Sequence, residues 1–219
     1  MADEPLLIIG NRNYSSWSLR AWLALKQLGF AFRELRIPLD TPEFPAQIRA
    51  YSAAARVPVL IDDGVEVWDS LAICAHAAEQ VGRSLWPADP AARAHARSAV
   101  AEMHAGFAAL RAELPMNIRA RGRVVQPSSA AQRDVERVLS LWCEARARFG
   151  ADGPWLHGEW SLSDAYYAPV ALRFRTYGIA VPELCWPWLE HLHDDADLGH
   201  WCRDAEAESE VLDAEEVGA

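Results

Sequence analysis

The chain opens with Leu6-Leu7-Ile8-Ile9, an apolar run stopped by Gly10 and Asn11, which is the pattern of a short buried strand. From Trp17 to Leu28 the period changes. Trp17, Ala21, Trp22, Leu25 and Leu28 fall three or four apart, as on one face of a helix that starts at the serines, and Gly29 stands where a left-handed C-cap belongs. Phe32 to Ile37 alternates Phe, Leu and Ile with Arg and Glu, predicting a half-exposed strand before Pro38 and Pro42 break the regularity. Val57-Pro58-Val59-Leu60-Ile61 and Val65-Glu66-Val67-Trp68 flank Asp62-Asp63-Gly64, a strong short-range hairpin signal. Helical spacing returns from Ser70 to Val81. The predicted order is strand, helix, strand, an irregular or helical segment near residues 43–51, hairpin, helix.

After Gly82 the strand signals stop and Ala-, Arg- and Leu-rich helical windows take over. Residues 83–90, with Pro87 and Pro90, read as a linker between an α/β unit (1–82) and an all-helical unit (91–204). Within the second unit, Ala91 to about Gly122 predicts one long helix bent near Pro115, and Ser128 to Phe149 a second. Ser161-Leu162-Ser163-Asp164 is a capping box that opens another. Short helices are expected after Pro182 and Asp194. The stretch 205–219 holds six acids and no base, and is expected to be disordered.

Composition narrows the function. The net charge is −10, of which that final stretch supplies −6, and no basic run exists to neutralise phosphates, which excludes nucleic-acid binding. Lys26 is the one lysine; the other twenty cations are arginines, the side chain suited to bidentate recognition of carboxylates. Cys74, Cys143, Cys185 and Cys202 show no Cys-x-x-Cys spacing and no secretory leader precedes them, so reduced thiols in a cytoplasmic setting are expected. No apolar stretch approaches the roughly 20 residues that cross a bilayer, so no membrane span is expected.

Three short elements could carry chemistry. Tyr14-Ser15-Ser16-Trp17-Ser18 lies at the turn from the first strand into its helix, where free amides and the helix dipole favour an anion. A hydroxyl there can hydrogen-bond a thiolate and lower the thiol pKa; one of these serines can equally serve as the helix cap. Pro58 enters a strand, where a cis bond would expose the backbone of Val57 to a ligand. On the residues alone a trans bond is expected, because cis accounts for only about 5% of X-Pro bonds. Asp69-Ser70 puts a carboxylate and a hydroxyl at a helix N-terminus, suited to the ammonium and carboxylate of a zwitterion, or to capping alone.

Taken together, in this order and spacing, the three elements resemble the cytosolic glutathione transferases. Those proteins pair a thioredoxin-like N-terminal domain, carrying a serine at the first helix, a Val-Pro before the third strand and an acid-Ser-x-Ala-Ile at the third helix, with an all-α C-terminal domain. Ser15-Ser16-Trp17-Ser18 is most similar to the Ser-Ser-Cys-Ser element of the zeta class, with Trp17 where that class has cysteine. The resemblance implies that Ser16, supported by Ser15, activates the thiol of glutathione. It also implies that Val57 and Pro58 meet the cysteinyl part and that Asp69 and Ser70 hold the γ-glutamyl end. Arg56 takes the place of the usual Lys or Gln and either attracts a glutathione carboxylate or is a solvated surface arginine. Glutathione would be a co-substrate, with no cofactor and no metal, and the protein a homodimer.

The second substrate, a small electrophile, should lie between the units. Arg173, in an Ala-x-Arg-Phe that resembles a zeta-class element, is the leading candidate to meet an acidic acceptor, with Arg119 and Arg175 as further candidates; helix arginines also commonly form surface pairs. Conjugation is the expected reaction, with glutathione-dependent cis-trans isomerisation of the maleylacetoacetate type, or binding without turnover, as alternatives. His191-Leu192-His193-Asp194-Asp195 is not a zinc spacing and reads as a solvated helix end. The ten tryptophans, Trp186 and Trp188 among them, are expected to fill the core or subunit contacts.

Overall fold

The computed structural model describes residues 4–219, so residues 1–3 of the first predicted unit lie outside the described residues. Strand β1 (Leu6–Ile9) is central, with Leu7, Ile8 and Ile9 wholly buried because both faces of the sheet are covered. It pairs in parallel with β2 (Arg33–Arg36) and antiparallel with β3 (Val59–Asp62), which pairs antiparallel with β4 (Val65–Trp68), giving the order β2-β1-β3-β4. The parallel pair requires a crossover, and α1 (Ser16–Leu28) supplies it, ending on Gly29 at φ 69°. Asp63 and Gly64 both take positive φ, 47° and 79°, the backbone of a tight two-residue hairpin turn. Helix α3 (Ser70–Val81) packs beside α1 on one face. On the other face Ile8, Ile37 and Val59 bury against Ile48 of α2 (Phe44–Arg49).

The second unit is wholly helical apart from its connections. Helix α4 (Pro90–Ala105) ends at Gly106, and α5 (Ala108–Glu113) restarts after Phe107 in the left-handed region at φ 55°. This corrects the expectation of one helix bent near Pro115. At Gly106 a Cβ would stand 2.8 Å from the Glu102 carbonyl oxygen, so the chain turns where only glycine fits. Residues 114–128 are then irregular, and Arg119, Arg121 and Arg123 sit on this non-helical stretch. The Ser128 hydroxyl caps α6 (Ser129–Phe149).

Helix α7 (Leu162–Tyr177) runs through the centre of the molecule, with almost every residue buried, and packs on α1 and α4. Its anchor is Asp164. This fully buried carboxylate accepts the Leu156 amide at 3.0 Å, the Ser161 amide at 2.9 Å and the Trp188 indole N–H at 2.9 Å. Helices α8 (Trp186–His193) and α9 (Ala196–Ala207) complete the unit, the latter capped by Asp195. Trp22, Trp142, Trp188 and Trp201 are fully buried, whereas Trp68 and Trp186 are about half exposed. All four cysteines are free thiols, and no helix among the described residues is long and apolar enough to cross a membrane.

The segment after α9 departs from the expectation of disorder. Glu208 accepts the amides of Arg12 and Asn13, Arg36 pairs with Glu210 at 2.7 Å, and Arg119 donates to the carbonyls of Glu208 and Glu210. Glu216 accepts from the Tyr14 hydroxyl at 2.7 Å and Asn117 at 2.8 Å and pairs with Arg123, while Leu212 is buried beneath. Three of the six acids that suggested a solvated tail, Glu208, Glu210 and Glu216, are paired with arginines far away in sequence.

Two measurements test these anchors. Asp164→Ala leaves three buried N–H groups without an acceptor and should cost about 3 kcal/mol or more, read as a clear drop in thermal midpoint; an unchanged midpoint would contradict the anchoring role. Arg119→Ala should raise amide hydrogen exchange across residues 208–218 while leaving α7 protected, and equal protection in both proteins would contradict the pinning of that segment.

Candidate functional site

Two adjoining cavities occupy the cleft between the units. The larger, about 530 Å³, is lined by Trp17, Arg56, Val57, Pro58, Trp68, Asp69, Ser70, His104 and Arg111. The other, about 370 Å³, is lined among others by Ser15, Ser16, Leu39, Phe44, Arg173 and Glu215. Trp17, Arg56, Val57 and Arg111 belong to both and form the wall between them.

Each side chain is placed by a local feature. The Val57-Pro58 bond is cis, where the residues alone favoured trans, and both residues border the larger cavity. Asp69 sits at φ 76° and caps α3 by accepting the Leu71 amide at 2.9 Å; its other carboxylate oxygen lies 3.6 Å from His104 Nε2 of α4. Ser70 Oγ is 3.0 Å from the Tyr166 hydroxyl of α7, so this corner is held from both units.

The two serines differ in what their protons do. Ser15 caps α1, accepting the Ser18 amide at 3.4 Å, and its hydroxyl donates to Ser18 Oγ at 2.7 Å. Its proton is committed. Ser16 Oγ accepts from the Arg173 guanidinium at 3.2 Å, which leaves its own proton free to donate into the cavity at the positive end of α1.

The site is strongly cationic. Arg173 is buried and donates to the carbonyls of Arg111 at 3.1 Å and Leu114 at 2.6 Å as well as to Ser16; burial brings it down to about 10, with Glu215 pulling it back up. Arg20 lies wholly out of water, donating to the Tyr166 carbonyl at 3.1 Å with its guanidinium carbon 4.1 Å from the Trp17 ring centroid. Burial lowers Arg20 to about 9, and the charge of Arg173 adds to the effect. Arg111 lies over the same indole at 5.3 Å. With an anion absent, these cations repel one another; a bound thiolate or carboxylate would relieve that.

Of the predicted residues, the structure brings Ser15, Ser16, Arg56, Val57, Pro58, Asp69, Ser70 and Arg173 to the cleft. Arg119 and Arg175 are not there. Arg119 is spent on the segment after α9, and Arg175, two residues from Arg173 and so about 200° around α7, lines a separate pocket with Trp186 and His193. Arg111, Arg20, His104 and Glu215 escaped the sequence reading. A helix break at Gly106 was the one signal that would have re-aimed Arg111; nothing local marks Glu215.

Residues 14–80 match the family model described as the glutathione S-transferase N-terminal domain. Over 97 residues the chain is 33% identical to a probable maleylacetoacetate isomerase of Caenorhabditis elegans; the match spans 44% of this chain and 44% of that relative, less than half of its length. A glutathione transferase homolog from Burkholderia, with bound glutathione, superposes with a TM-score of 0.70 at 22% identity, covering 94% of this chain and all of that one. The Tau class enzyme of mango, Mangifera indica, gives 0.70 at 18% over 94% and 97% of the two chains. Yeast Ure2p in complex with glutathione gives 0.68 at 21% over 93% and 95%. Residues 14–80 therefore form a glutathione S-transferase N-terminal domain, within a chain that has the glutathione transferase fold.

Proposed function

We propose that the protein is a glutathione transferase that adds the glutathione thiolate to an electrophilic, carboxylated small molecule. The observation that carries this reading is Ser16 Oγ, whose proton is free at the start of α1, in the lining of the smaller cavity and next to Trp17 of the wall shared with the larger. Glutathione would lie in the larger cavity, with its γ-glutamyl end at Asp69 and Ser70, its cysteinyl backbone against Val57, and a carboxylate within reach of Arg56. Its sulfur would then point to Ser16. Donation from Ser16, the α1 dipole, and the positive charge of Arg173, Arg111 and Arg20 all favour the anion over the thiol. Ser15 acts through the helix start that it caps.

The acceptor would sit in the smaller cavity, its carboxylate drawn to Arg173 and Arg111 and its electrophilic carbon facing the sulfur. In conjugation a carbon–sulfur bond forms as the acceptor's carbon–carbon π bond opens and the resulting carbanion takes a proton from solvent, or, with an aryl halide, as halide leaves; the thiol proton has already left to solvent. A second reading is favoured by the relative named as a probable maleylacetoacetate isomerase. In it sulfur adds to an unsaturated dicarboxylic compound, the bond rotates, and sulfur leaves, so glutathione is regenerated.

Ser16→Ala should lower kcat by about 10²-fold while glutathione affinity changes little, and should move the apparent thiol pKa of bound glutathione up toward about 8.5. An unchanged kcat and thiolate absorbance would overturn the role of Ser16. With aryl halides and maleyl compounds as acceptors, net loss of glutathione marks conjugation, and turnover without loss marks isomerisation. Sedimentation at micromolar concentration is expected to give a homodimer, and a monomer would remove that part of the proposal.

A further inference from the structure

The smaller cavity has three arginines in its lining, Arg56, Arg111 and Arg173, and among its described lining residues one carboxylate, Glu215. Glu215 does not come from either wall of the cleft. It belongs to the acidic segment after α9, which reaches the cavity at this residue and is held on both sides of Glu215: by Arg119 at the carbonyls of Glu208 and Glu210, and by Tyr14, Asn117 and Arg123 at Glu216. Tyr14 immediately precedes Ser15 and Ser16, so the strap is fastened next to the reactive end of α1.

The Glu215 side chain has a different situation from its neighbours. Glu208, Glu210 and Glu216 are each engaged by arginines or amides, whereas Glu215 is half-buried and faces Arg173 without closing a direct ion pair. Burial holds its carboxyl above the usual range and the charge of Arg173 opposes this; Arg173 feels Glu215 in return. A carboxylate that lines the same cavity as a guanidinium and closes no ion pair with it stands where the acid group of an anionic ligand would act.

We propose that Glu215 is a built-in counter-ion of the acceptor cavity, a specificity-determining residue that penalises anionic acceptors relative to neutral ones and restricts entry to acids able to compete for Arg173 and Arg111. The inference rests on the reading of the larger cavity as the glutathione site. Removing one negative charge from a cavity with three fixed cations raises its potential for any anion that enters and leaves neutral groups nearly unaffected. The strap therefore sets selectivity by charge instead of by shape.

The test uses two S-substituted glutathiones of matched length, S-propylglutathione and S-(2-carboxyethyl)glutathione, titrated calorimetrically into the full-length protein and its variants. Glu215→Gln keeps the size of a side chain that anchors nothing. It should tighten the carboxylated ligand by about three- to fivefold while the propyl ligand changes by less than half that factor. Glu215→Asp, which keeps the charge, should retain the wild-type ratio of affinities. Both ligands binding with the same ratio in wild type and Glu215→Gln would overturn the role of Glu215 and leave the glutathione reading intact. Neither ligand binding the wild-type protein would instead overturn the glutathione reading itself.

Discussion

A guanidinium taken out of water at the seam between the two units is the constraint from which the site follows. Arg173 projects from α7, the most buried helix, and a cation there is tolerable only if its donors are met. Its Nη1 donates to the carbonyls of Arg111 and Leu114 at the C-terminal end of α5, where the helix dipole is negative, and its Nη2 to Ser16 at the start of α1, which leaves Nε without a partner among the described residues. Three elements from both halves of the chain are thereby fixed around one charge. The same arrangement turns Ser16 into an acceptor toward the protein and a donor toward the cavity, so structural satisfaction and chemical readiness are one geometry.

Much of the architecture was legible because its causes are local. The Asp-Gly turn, the left-handed glycine after α1 and the acid three residues beyond Ser161 each act within a few positions of themselves, and the elements form where those signals stand. The long helix was overextended because Ala-, Arg- and Leu-rich spacing continues smoothly past Gly106, and only the extended backbone of that glycine, where a Cβ would meet the Glu102 carbonyl, ends it. The acidic segment was misjudged for the opposite reason. Its composition is that of a solvated tail, and its order depends on Arg36, Arg119 and Arg123, which lie 89 or more residues away in sequence from the groups they hold.

The site was legible as motifs and illegible as directions. Ser16, Val57 and Asp69 could be placed because two strand-to-helix turns and the entry into β3 put them at one end of the sheet. Arg173 and Arg175 look alike in sequence, yet one enters the cleft and the other leaves it, because α7 turns between them. Arg20 and Arg111 carry no motif at all; Arg111 lines both cavities, and Arg20 meets the site through Trp17, whose indole both approach.

That tryptophan also fixes what kind of sulfur chemistry this cleft can host. Trp17 fills the position next to Ser16 with a large indole, and no cysteine lines either cavity. A sulfur brought in by a ligand thus meets no protein sulfur with which to exchange, and a mixed disulfide between enzyme and ligand has no place to form. On the proposed glutathione reading the cleft would form carbon–sulfur bonds, and exchange between thiols would need a different neighbour at position 17.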